Sequence, residues 1–196
     1  MAENVKVLSE TVLAKQWGTL SRAEIELQRR DGTWQAQSRE VYDHGNAAAV
    51  LLCNPDSGMV VLTRQFRYPV HRNGDPAWLL EACAGLLDGD TPEDCARRES
   101  EEETGYRPHR LAFAFAAYTS PGSLTEKLYG FIGYYDEMAR VSAGGGLDHE
   151  GEDIEVLEMP FATAMAMLAN GEISDAKTVM LLQHAALTGV FAGRQT

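Results

Sequence analysis

Between Thr91 and Gly105 the chain reads TPEDCARRESEEETG, a helix with both of its ends encoded locally. Thr91 is an N-cap residue, and Pro92 sits where a missing N–H costs nothing. Glu93 and Asp94 suit the positive end of the helix dipole, and Gly105 supplies the C′ residue that lets a helix stop. The unusual part is the last turn, which carries Glu99, Glu101, Glu102 and Glu103. At about 100° per residue, Glu99 and Glu103 stack on one face with Glu102 on its flank. Like charges at that spacing destabilise a helix by about 0.2–0.5 kcal/mol per pair, and the negative end of the dipole adds to the cost. An acidic face open to water is the bland explanation. A hard divalent cation with oxygen ligands is the sharper one, because it removes the repulsion. The preceding stretch, Ala82 to Leu87, is too apolar for a surface loop and is expected to pack beside this helix.

The rest of the chain supplies a core for that helix. Of 196 residues, 44% are apolar, which is enough for one packed domain with a small extra sheet. The first forty-odd residues look like β structure, with Asp31-Gly32 as a hairpin turn between Arg22 and Glu40. The run Ala47 to Cys53, the turn Asn54 to Gly58 and the run Met59 to Leu62 read as strand, turn, strand. The segment His71 to Pro76 reads as another turn, before a short strand Trp78 to Glu81. Strands are expected near Leu111–Tyr118, Leu128–Tyr135 and Ile154–Leu157, and helices near Phe161–Leu168 and Asp175–Leu187. Gly144-Gly145-Gly146, with Asp148, Glu150, Glu152 and Asp153 close by, reads as a mobile acidic loop.

Charge and cysteine usage exclude several classes. The net charge of -12 repels a nucleic-acid backbone, so an anionic partner requires a cation in between. Nowhere do about 18 apolar residues run together, and the start lacks a basic segment followed by an apolar run, so a soluble cytoplasmic protein is expected. Cys53, Cys83 and Cys95 are odd in number and widely spaced, as reduced thiols are. The five histidines show no ligand spacing. There is no GxxxxGK[ST] phosphate loop and no GxSxG elbow.

The segment GLLDGDTPEDCARRESEEETGY resembles the Nudix box, a glycine and a spaced glutamate followed by Arg-Glu-apolar-x-Glu-Glu-x-Gly-apolar. Arg98, Glu99, Glu102, Glu103 and Gly105 match, with Tyr106 at the final apolar place. Two places depart: Asp90 stands for the first glutamate after four residues instead of five, and Ser100 replaces an apolar residue. Further segments resemble the ADP-ribose pyrophosphatase branch: Arg39–Leu52, Val61–Val70, Glu81–Asp88, Ser120–Glu126, Ala143–Val156 and Gly171–Thr178. Pro121, sixteen residues after Gly105, marks that branch, and CAGLLD, AGGG and GEISDAKT are most similar to bacterial GDP-mannose pyrophosphatases.

This resemblance implies a Nudix α/β/α sandwich with a mixed β-sheet and an N-terminal β-hairpin or sheet extension. Residues 1–45 would form the subdomain for dimerisation and base binding, and residues 46–196 the catalytic domain. It implies hydrolysis of the pyrophosphate of a nucleoside diphosphate sugar, GDP-mannose giving GMP and mannose 1-phosphate, with Mg²⁺ as cofactor and Mn²⁺ as a substitute. The metal ligands would be the Ala84 carbonyl, Glu99, Glu102, Glu103 and Glu152. Arg98 would orient the glutamates, and Glu152 or its neighbour Glu150 would act as general base beside Glu103. Substrate contacts would come from Trp17 stacking on the base, Ser38, Arg39 and Glu40 on the hairpin, Arg67 on phosphate, and Glu126 and Lys177 on the sugar-phosphate side. Ala84, Gly85, Leu86 and Gly151 would complete that lining. A homodimer with exchanged N-terminal regions is implied too. Read from the residues alone, Arg67, Trp17, Lys177 and a loop glutamate are also ordinary surface or strand residues. The rival readings are ADP-ribose hydrolysis and a non-catalytic nucleotide-binding sensor, which usually lacks a box glutamate.

Overall fold

In the computed structural model, which describes residues 4–147 and 151–192, the N-terminal β structure is a three-stranded antiparallel sheet rather than a hairpin alone. Its strands are β1 (Val5–Lys15), β2 (Thr19–Gln28) and β3 (Trp34–Asp43), with β2 central. The Asp31-Gly32 turn joins β2 to β3, with Gly32 at φ +85° and Asp31 accepting from the Thr33 amide. Every residue of β1 is exposed, including Val7, Leu8 and Val12. The segment Ala117–Lys127 belongs to the same compact unit as Met1–Asn46. Its backbone docks on β3, where Tyr42 donates to Ser123 O at 2.8 Å and accepts from the Thr125 amide at 3.2 Å.

The second unit holds Ala47–Ala116 and Leu128–Thr196. Its elements begin with β4 (Ala47–Asn54), β5 (Met59–Phe66), α1 (Tyr68–Asn73), β6 (Trp78–Glu81) and β7 (Cys83–Leu86). The helix α2 (Pro92–Glu99) follows, then β8 (Arg110–Tyr118), β9 (Lys127–Tyr134), β10 (Glu155–Pro160), α3 (Phe161–Asn170) and α4 (Ala176–Leu187). The sheet order is β10-β5-β4-β9-β8, with β6 added to β5 and β7 to β4. It is mixed, because β4 runs parallel to β9 and antiparallel to β5 and β7.

All eight residues of β4 are buried, and their alternation builds two cores. Ala47, Ala49, Leu51 and Cys53 pack with Ala164 of α3 and Leu181, Leu182 and Ala185 of α4. Ala48, Val50 and Leu52 face the other way, onto Cys95 and Ala96 of α2. Helices on both faces of a mixed sheet make the α/β/α sandwich. No helix among the described residues is long and apolar enough to cross a membrane.

Two expectations need correction. The segment from His71 onward is not simply a turn, because α1 occupies Tyr68–Asn73 and ends on Gly74 at φ +90°. The stretch 83–86 is itself a strand, β7, against which α2 packs.

Candidate active site

The ends of α2 form as their residues dictate. Thr91 accepts from the Asp94 amide at 3.2 Å, and Gly105 closes the helical run at φ +76°. The glutamate turn is not regular α-helix, however. Ser100–Thr104 form a π-helical turn, yet Glu99 and Glu103 still share one side, both against β7. Ser100, at the place usually apolar, is fully buried and donates its hydroxyl to Ala96 O at 2.6 Å. The glycine run explains how the turn ends. Gly145 and Gly146 donate their amides to Glu103 O (2.9 Å) and Glu102 O (3.1 Å), and a Cβ on Gly144 would overlap the Thr104 backbone. These glycines are thus packed on the helix end, a role the reading as a loop missed.

Glu99 and Glu103 are both buried, at 8% and 1% exposure. Glu99 lies directly over Gly85, where a Cβ would overlap its carboxylate. Glu103 accepts from the Ala84 amide at 3.3 Å, which places both glutamates against β7. Burial, opposed by Arg98, pushes the Glu99 carboxyl up to about 7. Burial, then the charges of Glu99 and Glu152, pushes Glu103 up to about 8. Arg98 ties the turn together: it donates to Glu99 (2.7 Å), Glu102 (3.1 Å), Asp90 (3.1 Å) and the Leu86 carbonyl (3.1 Å). Glu152 accepts from the Leu147 amide at 2.9 Å, and a Cβ on Gly146 would overlap its carboxylate. Gly151 is exposed at φ +74°. Asp148 and Glu150 lie outside the described residues.

These groups suit a divalent cation in their chemistry. They are hard oxygen donors, and two of them are buried carboxylates that repel each other without one. Among the described residues no three carboxylate, histidine or cysteine side chains already stand together at ligand spacing. Glu99 and Glu102 are instead turned onto Arg98.

Beside this turn lies a network that sequence reading missed. Glu81, the last residue of β6, is 1% exposed and takes both ends of the Arg67 guanidinium, at 2.7 and 2.8 Å. Lys177, at the start of α4, pairs with the same carboxylate and with Asp175 at 3.2 Å. Burial alone would raise the Glu81 carboxyl, but the Arg67 hydrogen bonds and the Lys177 charge hold it below its ordinary range. The α4 N-cap, Asp175, also accepts from the amide and hydroxyl of Thr178. That hydroxyl oxygen accepts from the Ala82 amide at 2.7 Å, joining α4 to the residue between β6 and β7.

Residues 43–182 match the family model of the NUDIX domain. The chain belongs to the Nudix family. Residues 4–42 match the model described as GDP-mannose pyrophosphatase NudK N-terminal domain. The chain is 48% identical to a GDP-mannose pyrophosphatase of Pectobacterium atrosepticum, covering 98% of this chain and 99% of that one. It is 49% identical to the corresponding protein of Cronobacter sakazakii, covering 97% and 99%. It is also similar to a crystal structure titled ADP compounds hydrolase, with a TM-score of 0.72 over 98% of both chains at 20% identity, a likeness of fold. The Nudix pattern therefore spans the carboxylate turn, and its arginine is the residue that holds three carboxylates in place.

The remaining expected Nudix contacts lie in the N-terminal unit. Trp17, between β1 and β2, is 72% exposed and stacks on His44 with ring centroids 5.0 Å apart. Glu126 accepts from Thr119 and stands 3.7 Å from His44 Nε2. Ser38, Arg39 and Glu40 are exposed and sit further along β3. Ser38 is five residues from Asp43, about 16 Å at about 3.3 Å per residue. It donates to Glu24 at 2.9 Å, while Arg39 donates to Gln37 at 2.6 Å. Within this unit the structure brings Trp17 and Glu126 to one histidine and leaves the β3 trio apart from them. Neither His44 nor Glu81 carried a local signal, because each is defined by partners distant in sequence.

Proposed function

We propose that this chain hydrolyses the pyrophosphate of GDP-mannose to GMP and mannose 1-phosphate, using Mg²⁺ with Mn²⁺ as a substitute. The observation that carries the reading is the buried, mutually repelling pair Glu99 and Glu103, set in a chain similar end to end to proteins named GDP-mannose pyrophosphatase. A sensor reading has no use for an intact pair of that kind. Glu99, Glu102, Glu103, Glu152 and the Ala84 carbonyl would hold the cation, which supplies positive charge against the phosphates and acidifies water.

The chain's own groups do the rest. Arg98 holds Glu99 and Glu102 in place through charge-assisted bonds. Water attacks one phosphorus, the bridging P–O bond breaks with its electron pair on the leaving phosphate, and the water proton passes to the Glu152 carboxylate or to Glu150. Arg67 and Lys177 present cations to the phosphate and sugar-phosphate side, each steadied by Glu81. Ala84, Gly85 and Leu86 offer backbone beside them, Gly151 lets the Glu152 segment turn, and Glu126 takes sugar hydroxyls. Trp17 stacks on guanine, with Ser38, Arg39 and Glu40 as further contacts.

The same reading takes residues 1–45 as the dimerisation and base-binding part, residues 46–196 as the catalytic part, and the protein as a homodimer. The apolar residues left exposed on β1 support it, since a small sheet with such a strand needs a partner surface. Three buried free cysteines fit a cytoplasmic setting, and nothing in the charge favours nucleic acid. Assay of a nucleotide-sugar panel in ¹⁸O-labelled water tests the chemistry. GDP-mannose should give the highest kcat/KM, with the label on a phosphate. Label on mannose sinks the mechanism, and a higher kcat/KM for ADP-ribose sinks the substrate.

A further inference from the structure

The Nδ1 atom of His44 is the buried side-chain nitrogen without a hydrogen-bond partner among the described residues. A fold carries such an atom at a cost, so the imidazole must serve through its other contacts. Two are visible. Its ring lies against one face of Trp17, 5.0 Å between centroids and 22° from parallel. Its Nε2 stands 3.7 Å from the Glu126 carboxylate.

The surroundings fix this ring in place. Thr125 donates to Asp43 Oδ1 at 2.8 Å, the Gly45 amide donates to the same oxygen at 3.0 Å, and the Lys127 amide donates to Asn46 Oδ1 at 2.9 Å. These bonds dock the 119–127 segment on the end of β3 and bring Glu126 to the imidazole. Tyr42 lies tilted beside both rings, 5.7 Å from His44 and 6.4 Å from Trp17. Gly18 makes room for it, since a Cβ there would lie 2.7 Å from the Tyr42 ring. Trp17 thus has one face backed by an imidazole, yet stays 72% exposed, which leaves its opposite face open to a second flat ring.

We infer that His44 is a positioning residue for base binding, bracing Trp17 from behind so that its open face receives a purine and coupling that face to Glu126. The inference rests on the proposed reading of Trp17 as the base platform. A brace acts on binding and leaves the bond-breaking step alone, so its loss raises KM and spares kcat.

Three variants with GDP-mannose kinetics separate the outcomes, joined by GMP titration in EDTA of a protein whose other tryptophans are replaced (Trp34→Phe, Trp78→Phe). His44→Ala should raise KM about 2- to 10-fold, as loss of one aromatic stack does, with kcat within about 2-fold. It should also shift Trp17 emission and weaken GMP binding by a similar factor. His44→Phe restores the stacked ring without the orphaned nitrogen, so it should fold at least as well and bind GMP nearly as wild type. Trp17→Ala should raise KM about 10-fold or more, because a base loses its stacking surface. If Trp17→Ala raises KM while His44→Ala does not, the brace is wrong and the platform stands. If Trp17→Ala leaves KM unchanged, the platform itself falls, and His44 with it. If His44→Phe binds GMP as weakly as His44→Ala, ring support is not what the imidazole supplies.

Discussion

Glu81 and Glu103 are equally buried, each 1% exposed, and their carboxyls are shifted in opposite directions. Glu81 faces Arg67 and Lys177 and is held below the ordinary value of 4.5. Glu103, pushed up by burial and by the charges of Glu99 and Glu152 against the Lys177 charge and the Ala84 amide, rises to about 8. Burial pushes both carboxyls up, so at equal depth it is the partners that decide the direction of the net shift. One region completes its own charge balance and serves as scaffold. The other is left with an excess of negative charge that a cation can relieve.

The strongest way to break the comparison is Glu103→Gln. The amide keeps the shape and removes the charge, so kcat/KM for GDP-mannose should fall more than about 100-fold, given that even outer partners of a metal ligand cost about 10–100-fold. Near-wild-type turnover at saturating Mg²⁺ would remove Glu103 from the site. The mirror experiment is Glu81→Ala, which leaves Lys177 buried at 15% side-chain exposure beside an unpaired Arg67. It should lower unfolding stability by about 3 kcal/mol in urea denaturation, the lower end for a broken buried pair because Arg67 is partly solvated. A loss under about 1 kcal/mol would mean that this network is no scaffold.

The smallest effect is a pH slope. Glu99 is raised to about 7 and Glu103 to about 8, so their stabilising contribution is full below the unfolded value of 4.5 and is lost as pH rises through 7 and 8. In EDTA, Tm should drop by a few degrees from pH 5.5 to 8.5, and Mg²⁺ should reduce that drop. Glu81 is shifted down, so its contribution is present above 4.5 and is lost only as pH falls below that. A metal-free Tm that climbs from pH 5.5 to 8.5 in wild type, with the same climb in Glu103→Gln, contradicts the assignment.

Part of this contrast is legible in the sequence. Thr91, Pro92 and Gly105 mark the helix because caps act on backbone groups a few residues away. Asp31-Gly32 marks its hairpin for the same reason. The short helix α1 escaped reading because none of its residues is buried, so no apolar period announces it.

The sequence by itself determined the carboxylate turn, the strands that flank it and the family pattern, all of which are short-range in composition and spacing. Only the tertiary structure decided what each charge meets. Lys177 reaches Glu81 across 96 positions of chain, and the amides of Gly145 and Gly146 arrive from a distant loop to take the carbonyls of Glu103 and Glu102. The π-helical turn and the opposite shifts of Glu81 and Glu103 belong to that second class. Local sequence selects which bonds a residue is able to make. Folding chooses among them, because burial makes each unmatched charge or donor costly and leaves few arrangements in which the buried groups find partners.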